Sequence, residues 1–330
     1  MPNALTHFTF ARDVALDEGE HLSAAYVGAQ GPDPFFFFGA DTLAYHPHAK
    51  AVSSLGGITQ HSPMAPIYWA MMAYAQKSAN KDLLFAYIDG LLMHYVVDCA
   101  CHPYIFYCTG YTDRSEDSAA VHHHYNFSHM CFEVAIDFVY AKRKGTYQRV
   151  DKVLALDGSD LKIISQMWYD VNLTVQKVPF IRPTSFSRSI KDYRYAQRLA
   201  WDKKGWKKKL AKKVFGRESY YYGMIYPQSL KGFEAVDFLN EAHHPWKMPA
   251  GEVRTESFLD LLEIAKSRYR KLHALLLKAK AGENIERALS ELSEGLNHEG
   301  IIPNSPKLYW KLVWPKDFIE DYPGYAQHPE

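Results

Sequence analysis

An all-α, multi-helix fold is what this 330-residue sequence predicts. Apolar residues recur mainly at helical spacing, Pro and Gly fall between the periodic stretches, and few stretches alternate with period two. A helix is expected through His21–Ala29 and stops at Gly31-Pro32-Asp33-Pro34. A turn at Leu55–Gly57 should lead to a helix over Pro66–Ala79, and a long apolar helix should cover Asp82–Tyr107, ended by Thr109-Gly110. A polar loop, Thr112–Ser118, opens a helix reaching Lys142. Further helical patterns cover about 160–177, 187–215, 229–241, 256–282 and 284–297. The tail after Gly300, rich in Pro and Trp, reads as a non-helical strap.

Composition narrows the function. With 47% hydrophobic and 23% charged residues the chain can bury a sizeable core. A net charge of +1 argues against a general nucleic-acid coat, which needs a clear Lys/Arg excess to displace counterions; a local basic groove stays compatible with it. Residues 1–20 carry Arg12, Asp13, Asp17, Glu18 and Glu20 and no apolar signal core, so a cytoplasmic location with reduced thiols is expected. The apolar run Leu83–Cys101 contains Asp89, His94 and Asp98, which reads as a buried helix rather than a membrane span. Cys99 and Cys101 point in different directions on a helix and read as small core residues.

Eleven of the sixteen histidines precede residue 130, so the chemistry is expected in the first half. His94, Asp98 and His102 stand at i, i+4 and i+8, nearly on one stripe of an apolar helix. Burying them costs several kcal/mol, about 2–7 for a neutral polar group alone, unless each is paired or bound to a metal. A hydrogen-bonded His–Asp network would satisfy the same pattern. His129 and Glu133 present a second i, i+4 pair, with Asp137 one turn on, a common way to offer zinc ligands and equally the pattern of an ion-paired face. Asp33 sits between two prolines on a rigid backbone. The histidine run 122–124 and the pair His46/His48 are candidates for a substrate mouth.

Taken in order, Thr6-His7, Gly28–Asp33 with Phe35-Phe36, Leu55-Gly56 with His61, His94-Tyr95-x-x-Asp98-x-x-x-His102-Pro103-Tyr104 and His129-x-x-x-Glu133-x-x-x-Asp137 resemble the zinc-dependent phospholipase C family. That family shares a superfamily with the single-strand-specific zinc nucleases. The likeness spans about residues 4–140, and a weaker one runs over Phe238–Asn240, His244, Trp246, Pro249 and Ser257-Phe258. The resemblance implies a helical bundle with a metal-binding core over 1–145 and a helical extension over 146–330, packed on the core or forming one compact domain with it. It implies two to three Zn2+ ions: Asp33, His61, His94 and Asp98 around the first, and His102, His129 and Glu133 around the second. A third would be shared by Asp98, His7 and the N-terminal amine, and with Met1-Pro2 at the start of the chain it should be the weakest.

The activity implied is hydrolysis of a phospholipid or another small phosphodiester by metal-activated water, with Asp33 as the catalytic carboxylate. A single-strand nuclease on the same site, or a zinc-stabilised lipid-binding scaffold without turnover, are the alternatives. Residues 201–215, with Trp201, Trp206, Phe215 and seven lysines, could lie on an anionic membrane surface, track a single strand, or form a solvated helix.

Overall fold

The computed structural model describes residues 4–15, 19–40, 46–110, 119–216, 219–227, 229, 236–248 and 250–303. Among them the protein is a helical bundle built around one long central helix. The helices in chain order are α1 (Ala4–Val14), α2 (Leu22–Gly28), α3 (Ala49–His61), α4 (Met64–Gln76), α5 (Lys81–Thr109), α6 (Ala119–Arg143) and α7 (Val150–Val153). They continue with α8 (Gly158–Val171), α9 (Ser185–Ala200), α10 (Trp206–Phe215), α11 (Tyr220–Gly223), α12 (Phe258–Lys280) and α13 (Glu286–Ser293). One antiparallel pair, Trp246–Lys247 with Val253–Arg254, is the only sheet among the described residues.

α5 is apolar on every side because it is enclosed on every side. Its buried residues run almost without break from Leu83 to Phe106, between α2, α12, α4, α6 and α1. It is long and apolar enough to cross a membrane by length and composition, and nearly all of that stretch is covered by neighbouring helices. Two glycines permit the closest crossing. A Cβ on Gly28 would lie 2.1 Å from the Tyr87 carbonyl oxygen, and one on Gly90 would lie 2.1 Å from that of Ala25. The backbones of α2 and α5 therefore touch directly, and this contact sets the depth at which the segment after α2 meets α5.

That segment carries Asp33. Gly31 has φ +57°, and a Cβ there would fall 2.2 Å from the His94 ring, so only glycine fits both the conformation and the space. The chain then turns through a short 3-10 segment, Asp33–Phe37. Phe35 packs edge-on against Trp168 of α8 and against Phe186 of α9. One apolar core thus continues from Ala4 to Leu289, through residues on both sides of position 145.

α6 fixes the start of the chain. Its Asp137 accepts the backbone N–H groups of Leu5 and Thr6, each at 2.9 Å, and the Tyr226 hydroxyl at 2.9 Å. A carboxylate on the unpaired amides of a first helical turn satisfies them and suits the helix dipole. Burial raises the Asp137 carboxyl to about 6, against the lowering effect of these bonds. The residue following this clamp is His7.

Three expectations need correction, and one helix was not expected. Leu55–Gly57 is not a turn but lies inside α3. Gly56 is there because a Cβ would sit 3.1 Å from Phe35 Cβ and 3.2 Å from the Pro32 carbonyl oxygen, a packing requirement that mimics a turn signal. The pattern over 187–215 is two helices, broken where Gly205 adopts φ +71°. The described part of 229–241, from Val236 on, is turn rather than helix, with Asp237 accepting the backbone N–H groups of Glu241 and Ala242. Helix α1 was not singled out, since its eight buried residues from Ala4 to Ala11 leave no polar face to read. The loop 112–118 and the tail beyond Pro303 lie outside the described residues.

Candidate metal centre

Burial and helix geometry bring seven of the eight candidate ligands into two adjoining groups. His7, Asp33 and His94 each offer a ligand atom within 4.8 Å of the others, all buried. Asp98 joins them, with Oδ1 3.2 Å from His7 Nε2 and Oδ2 2.8 Å from His94 Nε2. Asp33 Oδ1 stands 3.7 Å from His94 Nε2. The second group is His102, His129 and Glu133. Glu133 Oε1 lies 2.7 Å from His129 Nε2 and 4.0 Å from His102 Nε2. Asp98 and His102 are one turn apart on α5, about 6 Å of rise, so the two groups adjoin.

His61 stands apart from both. It is more than half exposed at the end of α3, with Nε2 3.3 Å from Glu299 Oε1. Its neighbour Gln60, not His61 itself, reaches Asp33, donating Nε2 to Oδ1 at 2.9 Å. The side chains of residues 122–124 and the placement of residues 1–3 lie outside the described residues, and with them the terminal amine. His46 and His48 line a separate cavity of about 510 Å3 with Phe180 and Arg182, sharing no residue with the metal centre.

The hydrogen-bond pattern tests whether these residues suit a cation. His94 Nδ1 lies 3.2 Å from the Ala29 carbonyl oxygen, and His102 Nδ1 lies 2.8 Å from that of His298. A carbonyl only accepts, so each Nδ1 carries a proton, and in the neutral form of the ring Nε2 aims its lone pair at carboxylate oxygens. Lone pairs facing lone pairs in a buried space need a positive charge between them. His94 Nε2, His7 Nε2 and both Asp98 carboxylate oxygens are buried and make no hydrogen bond despite their closeness. A carbonyl behind the ligating imidazole is also the usual outer support of a metal site. Imidazole and carboxylate donors without thiolate are a zinc set of the hydrolytic kind, and these residues fit it.

Electrostatics agree with that fit. Burial lowers the His102 imidazole to about 4 and pushes His129 well below its ordinary range, so both rings are neutral near pH 7. For Asp98, burial alone would raise the carboxyl, but His94, His102 and His7 overcome it and hold the group well below the carboxylate range. Asp33 goes the other way, to about 7, because burial and the Asp98 charge outweigh His94 and Gln60. Two neighbouring carboxyls of opposite tendency are a pattern suited to separate roles in holding charge and moving a proton.

Sequence reasoning missed one contributor. The segment Asn297–Gly300 folds over the centre from the far end of the chain: its His298 N–H bonds the Gln60 carbonyl at 3.1 Å, and its His298 carbonyl orients His102. The signal was present as Asn297-His298-Glu299-Gly300, polar ligand types directly after a leucine-rich helix, though nothing local ties them to residue 102.

No match is found among curated proteins or among solved structures. The family described as zinc dependent phospholipase C matches residues 6–173, just over half of the chain and every residue of the two ligand groups. On that match, and with a helical fold around a site fit for zinc, the chain belongs to the zinc-dependent phospholipase C family.

Proposed function

We propose that this protein hydrolyses a phosphodiester, either a glycerophospholipid or a related small one, using two to three zinc ions. The observation that carries the reading is the repeated placement of a carbonyl-anchored imidazole facing a carboxylate in a buried space, at His94 with Asp98 and at His102 with Glu133. Zinc bound there supplies Lewis acidity, which polarises phosphoryl oxygens and lowers the pKa of water. The residues do the rest. Asp33, raised to about 7 and held by Gln60, is poised to take a proton from the attacking water near neutral pH. A phosphodiester suits the centre because its anionic oxygens match an excess of positive charge that a peptide would not need.

The test is turnover of a chromogenic phosphodiester by protein of measured zinc content. Zinc near two or three per chain with turnover is expected. A chain that purifies without zinc from zinc-supplemented cells, or that holds zinc and hydrolyses no diester, overturns the reading.

The lipid substrate is favoured by α10. Trp206, Leu210 and Val214 form an i, i+4, i+8 stripe, and all three are exposed. Lys203, Lys204, Lys209, Lys212 and Lys213 surround it, also exposed, while Lys207 is turned inward to the carbonyls that end α9. An apolar ridge flanked by cations is what lies flat on an anionic bilayer. Co-sedimentation with vesicles should rise with their anionic lipid content and fall at least severalfold in the Trp206→Ala/Leu210→Ala double variant. Binding indifferent to lipid charge would remove the membrane from the proposal.

A further inference from the structure

The cavity of about 510 Å3 lies toward the opposite end of α3 from the metal centre. His48 and Val52 line it where α3 begins, and about 18 Å of helical rise separates His48 from Gln60, the residue that bonds Asp33. Its size is that of a small-molecule site. Its walls are of two kinds. Val52, Leu161 and Phe180 supply apolar surface, and Lys162, Arg182 and Lys191 supply three exposed cations. Among the described residues those three cations make no ion pair, and no carboxylate lines the cavity. Of the acids adjoining its walls, Asp160 stays outside the lining and Asp157 accepts the Ser159 N–H at 2.8 Å. Asp192 accepts the Gly39 N–H at 2.8 Å and Arg188 Nε at 3.0 Å.

A cleft lined by one sign of charge over apolar walls focuses its field and concentrates the opposite ion. Helices α3, α8 and α9 also begin at this cavity, at His48, Gly158 and Thr184, so their dipoles add to the same sign. The aromatic wall is held against its backbone preference. His48 (φ 73°) and Phe180 (φ 66°) both occupy the left-handed region that favours glycine, and their rings stack 4.5 Å apart and 9° from parallel. Phe180 is 63% exposed, so it gains little from core packing to offset that conformation. Strain kept at such a position is typical of a ligand clamp. A guanidinium fork with two ammonium groups suits the oxygens of a doubly charged phosphate better than a single carboxylate.

We propose that this cavity binds a phosphate monoester with a small apolar or ring-bearing body. Lys162, Arg182 and Lys191 hold the phosphate, and Leu161 and Phe180 cover the body. The site is separate from the metal centre and does not depend on the zinc reading.

The probe is phenyl phosphate, titrated calorimetrically into the full chain and into its Arg182→Glu/Lys191→Glu and Phe180→Ala variants, all at exposed positions. The charge-reversed double variant should bind it about tenfold or more weakly at one site, the factor expected when charge-assisted bonds are lost. Phe180→Ala should weaken phenyl phosphate severalfold and leave inorganic phosphate unchanged. Turnover of a chromogenic diester should be equal in all three proteins; a fall in the double variant would put the phosphate in the path to the metal centre and overturn a separate site. Vesicles identify the source of the ester. Retention on phosphatidate in excess of phosphatidylglycerol, lost in the double variant, supports a lipid-borne phosphate. Phenyl phosphate binding without that excess supports a soluble one. Identical phenyl phosphate titrations of wild type and double variant, or no binding by wild type, would overturn the proposal.

Discussion

Asp33→Asn is expected to keep its zinc and to lose turnover by about 10^3-fold, within the range for removal of a general base. The substitution is nearly isosteric. Its carbonyl oxygen can still accept the Gln60 amide, and His7, His94 and Asp98 remain grouped around the same space. What disappears is a group able to accept a proton. The raised Asp33 carboxyl arises mainly from burial, so the same burial that makes it a useful base would make an amide there inert rather than misplaced. Turnover at the wild-type level would remove Asp33 from the chemistry. Loss of zinc together with turnover would make it a ligand before anything else.

Chelation should lower the melting temperature by about 10 °C or more. Each ion bound at a thousandfold excess over its dissociation constant stabilises the native state by about 4 kcal/mol, and one kcal/mol moves a chain of this size by about 2–4 °C. Without a cation, the Asp98 carboxylate oxygens and the Nε2 atoms of His7 and His94 face one another buried and without hydrogen bonds. The metal-free protein should weaken further in acid, and the sign follows from the imidazoles. Burial holds His102 at about 4 and His298 at about 3, below the ordinary 6.5. Burial holds His129 down as well, so between pH 6.5 and about 4 the unfolded chain takes up to three protons on these imidazoles. The folded chain takes up to two on Asp33 and Asp137, raised to about 7 and about 6; the balance makes stability fall as pH falls. Equal melting temperatures with and without chelator at pH 7 would show that no ion contributes to the fold.

How much of this could be read in the sequence differs by residue. The stripe His94, Asp98, His102 and the pair His129, Glu133 were legible because one helix fixes their relative directions, and an i, i+4 spacing carries over directly into space. The central helix was legible from its apolar composition, although its wrapping by α2 and α12 was not. Gly56 was misread because a glycine demanded by a neighbour's backbone looks the same in sequence as one demanded by a turn. Asp137 lies in the ligand-bearing helix at ligand spacing, yet it serves two amides of α1, a choice decided by where the chain start packs. Gln60 and His298 were invisible for the same reason: their roles depend on contacts across tens to hundreds of residues, which no local period encodes.

The carbonyl of His298 that steadies His102 has an implication for biogenesis. The two residues are 196 positions apart, and the loop joining them includes α6 through α13. A ribosome that has released the whole family span has therefore delivered seven potential chelating groups without the last brace for one of them. Until some 125 further residues emerge, the nascent polypeptide can trap a wrong ion or mispair its histidines, and long-range closures of this kind are slow. Proteolytic nicking just before Asn297 should leave the helices assembled and the imidazole at position 102 free to swing.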